Sequence, residues 1–186
     1  MSFSVFKQSM LAYMENPASI QDSKEFAKKL TTEYDQCVRR GYQTINNIPI
    51  QKPNVELMET LVNLACQISL TKQSGLHTFA DDIGKGVMGY WTGATLTTGI
   101  PPIIPAPGSI SNISTTAAIV SVPGTWTPLG PLNPTDDCGL FLDKLISGLQ
   151  IHLTTIGGIY MTTSSYPAVP IFIAPGVLTW TGFTIP

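Results

Sequence analysis

Residues 86–120 read GVMGYWTGATLTTGIPPIIPAPGSISNISTTAAIV, and none of them is Asp, Glu, Lys or Arg. The charge-free run continues to Thr135, 50 residues in all, and contains eight prolines. No uninterrupted apolar run reaches the length of a membrane helix, because Pro101, Pro102, Pro105 and Pro107 break it. The same prolines exclude a central β-strand there and favour an extended course. The proline-free piece SISNISTTAAIVSV, rich in β-branched residues, predicts a short strand. Disorder ordinarily requires low hydrophobicity and high charge. This segment has neither, so it is expected to be ordered against protein rather than water.

On the N-terminal side the character of the chain changes. Of the 22 charged residues, 18 lie in residues 1–92, and three of the 15 prolines do. Phe3, Phe6, Met10 and Tyr13/Met14 fall at helical spacing, with Pro17 as a stop. Phe26, Leu30, Tyr34, Cys37/Val38, Gly41 and Ile45 form a second stripe, preceded by a capping-box-like Ser19 and Asp22. Asn54 caps a third helix with Leu57, Leu61, Leu64/Ala65 and Ile68 in line. A fourth stripe joins Leu76, Phe79/Ala80, Ile83, Val87 and Tyr90/Trp91. Four glycines, Gly84, Gly86, Gly89 and Gly93, sit in or beside it, and each glycine inside a helix costs about 1 kcal/mol relative to alanine. Gly86, Gly89 and Gly93 share one side of the helix and mark a close approach to a neighbouring element.

On the C-terminal side, Thr135 or Asp136 caps one more helix, at about 136–156, carrying Leu142, Leu145/Ile146, Leu149, Leu153 and Ile156. From Leu145 to Pro186 there is again no charged side chain, over 42 residues. The fold class read from these patterns is mainly α. A small helical bundle spans 1–92, and residues 93–186 supply long Pro/Gly-rich extended arms with a few short strands and that one helix. The arms, 93–135 and 157–186, are expected to lie on the bundle and on neighbouring subunits.

Chemical motifs are sparse. Gly84–Lys85–Gly86 lacks the rest of a P-loop, and no dinucleotide fingerprint or G-x-S-x-G is present. His77 and His152, with Cys37, Cys66 and Cys138, show no metal-ligand spacing. Asp136-Asp137 suits a helix N-terminus, and Asp81-Asp82 a solvated face or a partner for Lys85. No catalytic, cofactor or metal residue is assigned. A net charge of -2 gives no basic face for nucleic acid, and no membrane segment is expected. Trp91, Trp126, Phe172, Trp180 and Phe183 are the aromatic candidates for subunit contacts. The three tryptophans also admit an alternative, a small soluble ligand-binding or enzymatic domain with a tryptophan-lined site.

The stretches MGYWTGATL, PPIIPAPGSI and the closing APGVLTWTGFTIP resemble virion structural proteins of tailed bacteriophages, including contractile-tailed ones. That resemblance implies a particle component without enzyme activity, made in the host cytoplasm. Its partners would be copies of itself and other virion structural proteins. Head, neck, tail and baseplate all remain open.

Overall fold

In a computed structural model of the chain the described residues are 2–16, 22–43, 49–71, 76–96, 113–129, 137–164 and 176–186. The amphipathic stripes become five helices: α1 (Phe3–Met14), α2 (Ser23–Val38), α3 (Val55–Thr71), α4 (Leu76–Trp91) and α5 (Cys138–Thr155). Side-chain caps set the starts of α2, α3 and α5. Asp22 accepts from the Lys24 N–H, Asn54 from the Leu57 N–H, and Asp137 from the Leu140 N–H at 2.7 Å. The fifth cap is therefore Asp137, one residue beyond the expected Asp136.

Two helices differ from the stripes read in the sequence. α2 ends at Val38 instead of running on to Ile45, because Tyr42–Gln43 leave as strand β1. Gly41 makes that exit possible, since a Cβ there would collide with the Phe183 ring and lie 2.6 Å from the Thr184 carbonyl oxygen. α3 buries Met58, Val62, Ala65 and Cys66, one position round from the leucine stripe, while Leu64 is half exposed. Leu57 and Leu61 serve a different contact: they cover Gly89 of α4.

α4 packs on α3, α3 on α2, α2 on α1, and α1 on α5. Phe79 stacked on Phe141, centroids 6.0 Å apart, links α4 to α5. Phe6, Leu30, Tyr34, Met58, Ile83, Val87, Leu145 and Leu149, drawn from all five helices, meet at the centre. The core does not stop at residue 92, since Val120, the α5 leucines, Ile156 and Phe183 belong to the same cluster.

The neutral half also builds sheet. Strands β2 (Ile50–Lys52), β3 (Thr95–Leu96), β4 (Ile113–Val122), β5 (Gly157–Ser164) and β6 (Gly176–Thr181) form one antiparallel sheet in chain order. β4 is ten residues against eight in β5, and register shifts after Thr115 and Val120 absorb the difference. β7 (Phe183–Thr184) pairs separately with β1, Tyr42 opposite Thr184. Residues 157–164 and 176–186, expected as arms, are thus strands and a closing turn of the chain's own fold. In the other expected arm, Thr95–Leu96 and Ile113–Val122 are likewise strands, while 97–112 and 130–135, together with 165–175, lie outside the described residues.

Candidate functional site

The segment Pro123–Leu129 is the longest described stretch outside helix and sheet, and it lies across α4 and α5. Its geometry follows from small residues. Gly84 of α4 and Gly148 of α5 leave bare backbone at which Trp126 seats its indole. A Cβ on Gly84 would collide with the Trp126 ring, and one on Gly148 would stand 2.6 Å from Leu129 and 3.0 Å from Trp126. Gly124 turns the strap with φ +90°, a conformation that suits glycine. A Cβ there would lie 2.5 Å from Nε2 of His152.

Hydrogen bonds then clasp the strap to the end of α5. The Thr125 N–H donates to Thr155 Oγ1 at 2.8 Å, and that hydroxyl donates to the His152 carbonyl. Nε2 of His152 lies 2.9 Å from the Pro123 carbonyl. A carbonyl only accepts, so Nε2 carries the proton in the neutral ring and Nδ1 is a bare acceptor. His152 is fully buried, and Nδ1 has no partner among the described residues. Burial pushes its pKa down to about 4, against a smaller upward pull from the Pro123 hydrogen bond. The Trp126 indole N–H is buried and has no partner among the described residues either. Beside the strap an open groove of about 370 Å³ is lined by Thr127, Pro128, Leu129, Asp143, Lys144, Ser147, Gly148 and Ile151. Ile151 is 48% exposed at its rim.

The sequence candidates separate in space. Trp91 is sealed in the core, donating its indole N–H to Tyr34 Oη at 2.9 Å, with its ring edge-on to Phe183 at 4.9 Å. Phe183 itself is 3% exposed. Neither ring offers a surface to a partner. Trp126 is half-buried in the strap seat, against His152 and away from Trp91. Trp180 contributes its backbone to β6, and Phe172 lies outside the described residues. The three tryptophans do not line one site through any described contact. Gly86 faces Val62 at 2.7 Å and Gly89 faces Leu61 at 2.9 Å, both on α3. Gly93 meets nothing within 4 Å and instead takes φ +71° in the turn after α4. Gly148 and His152 as parts of the Trp126 seat were not read from the sequence. The available signal was a small residue mid-helix in LISGLQ, one turn before the only other histidine besides His77.

Two of the three thiols are held quiet. Burial pushes the Cys37 and Cys66 thiols up to about 11, which leaves almost no thiolate at neutral pH. Tyr90 donates to Asp35 Oδ1 at 2.8 Å while Arg39 Nε donates to Asp35 Oδ2 at 2.7 Å, a structural triad joining α2 to α4. Lys85 pairs with Asp82. Among the described residues no three His, Cys, Asp or Glu side chains are grouped to hold a metal, and no helix is long and apolar enough to cross a membrane. No family model, no curated protein and no solved structure matches the chain.

Proposed function

We propose that the chain is a non-enzymatic structural subunit of a bacteriophage particle, present in many copies within the virion. The observation that carries this reading is the partition of charge. Four of 22 charged residues serve residues 93–186, and two stretches of 50 and 42 residues carry none. A surface made from such chain is stable against protein and prone to associate in water. The charge-free strap Pro123–Leu129, seated on Gly84 of α4 and Gly148 of α5, supports this reading. In a particle the same material lies over helices or sheets of adjacent subunits, copies of itself and other virion proteins.

A tryptophan-lined ligand site is the weaker reading, because Trp91 is sealed under Phe183 and Trp126 is seated on glycine backbone. The test is to purify the full chain and examine it by light scattering and electron microscopy. Regular multi-copy assemblies are expected. A monomer at every concentration reached would overturn the proposal.

A further inference from the structure

The strap Pro123–Leu129 is fastened by a few local ties. The last sheet pairing before it is Val122 opposite Gly157, where the register has already shifted. Trp126 and Leu129 pack against the hydrophobic core without belonging to the buried residues that form it. The indole sits on Gly84 and Gly148, the Thr125 N–H donates to Thr155 Oγ1, and the Pro123 carbonyl accepts from Nε2 of His152. Both hydrogen bonds end on the last turn of α5. A segment held by so few contacts can open while the rest of the fold stays intact.

His152 is the tie that responds to acid. In the neutral ring Nε2–H serves Pro123, and Nδ1 is a bare acceptor. Protonation keeps the Pro123 bond but puts a second N–H on Nδ1, a buried atom with no partner among the described residues. It also places a full charge on a side chain that has no exposed surface. The strap supplies no charge to offset it, nor do the described strands β3–β7. On α5 the charged residues are Asp143 and Lys144, more than two turns away, and Asp143 pairs with Lys7 of α1. On α4 they are Asp81, Asp82 and Lys85, and Lys85 pairs with Asp82. None of them moves the ring's titration: burial lowers it to about 4, opposed only by the Pro123 hydrogen bond. The Trp126 ring, 6.1 Å away and tilted, stands at the outer limit of a cation–π contact. Once the strap lifts, water satisfies both ring N–H groups of His152 and the buried indole N–H of Trp126.

We propose that protonation of His152 releases the strap from α4 and α5 while the helical core stays folded, an acid-opened latch over Gly84 and Gly148. The latch goes beyond the structural-subunit reading and does not depend on it. Amide hydrogen exchange of the full chain, followed by NMR at pH 7 and pH 4.5 and corrected for intrinsic rates, reads opening at the Thr125 N–H. The backbone N–H of Tyr34, inside α2, reports global unfolding. Thr125 is expected to exchange faster than Tyr34 and to ignore low concentrations of urea, because a local opening exposes little surface. Above pH 6.5 neither form of the strap holds the proton. As pH falls toward 4 the open form takes it up and the closed form refuses it, so the opening constant rises by about 50-fold between pH 7 and pH 4.5. His152→Gln keeps a donor for Pro123 and does not titrate, so it is expected to abolish that rise. Should His152→Gln fail to fold, wild type decides: opening through His152 sets in between about pH 6.5 and 5.5, above the carboxylate range. A Thr125 N–H that shares the rate and urea response of Tyr34 overturns the latch, since the strap then opens only with the whole fold. Opening that stays constant down to pH 5, or a rise that persists in His152→Gln, overturns it as well.

Discussion

Trp126 keeps its place because two helices have no side chain beneath it. Gly84→Ala puts a methyl group into the indole seat, and the strap must lift. The expected loss is about 1–3 kcal/mol, as for other overpacked sites, with a red-shifted tryptophan emission. Gly93→Ala provides the contrast. Nothing crowds Gly93, so only the left-handed backbone is penalised, by about 1–2 kcal/mol and with no change in emission. Thermal melts and fluorescence on the two variants separate packing from backbone strain. His152 adds a pH signature. Its folded pKa lies near 4, below the ordinary value of 6.5. Above pH 6.5 neither state holds the proton and its contribution is full. As pH falls from 6.5 toward 4 the unfolded chain takes up a proton that the folded chain refuses, so stability drops. Below about 4 both are protonated and the loss levels off, at on the order of 3 kcal/mol. Urea unfolding at pH 7 and pH 4.5 should show this slope in wild type and a shallower one in His152→Gln.

α5 is the element that most changes how the first half must be understood. Its charge-poor sequence sits far from α1–α4 along the chain, yet Leu142, Leu145 and Leu149 fill the same core as Phe6 and Leu30. Residues 1–96 alone would expose that face. The expected outcome is a helical far-UV spectrum with a broad, uncooperative melt and strong binding of a hydrophobic dye. A sharp melt would mean that four helices suffice. The helices themselves were legible because 3.6-residue spacing is a local signal, and the stripes of α1, α2, α4 and α5 name most of the buried hydrophobic residues. In α3, Leu57 and Leu61 look like core residues but face Gly89 of α4, while Met58 and Val62 take the core and Ala65 is buried as the stripe implies. β4 was legible in the proline-free, β-branched SISNISTTAAIVSV, but the other strands were largely illegible. β1, β3 and β7 have two residues each, too few for alternation to register. β5 and β6 are neutral throughout, so an extended arm and a paired strand look alike in sequence. The strap seat was invisible for a related reason: Gly84, Gly148 and His152 acquire their role only when distant segments meet.

Across the molecule, the contact that closes the fold joins residues far apart in the chain. Tyr42 pairs with Thr184, and Phe183 covers Trp91. Truncating Phe183 to alanine is expected to cost about 3–5 kcal/mol, as for a large buried ring. It should also raise quenching of tryptophan emission by acrylamide, as water reaches the Trp91 indole. An unchanged melting temperature would show that Trp91 is adequately covered without it. The same closure has a consequence during synthesis. Phe183 emerges from the ribosome after all five described helices have been made, so the growing chain carries Trp91 and the Gly41 corner uncovered until then. β1 can find β7 only once residue 184 has been added, and until that moment the nascent protein presents an aromatic surface of the kind that chaperones hold.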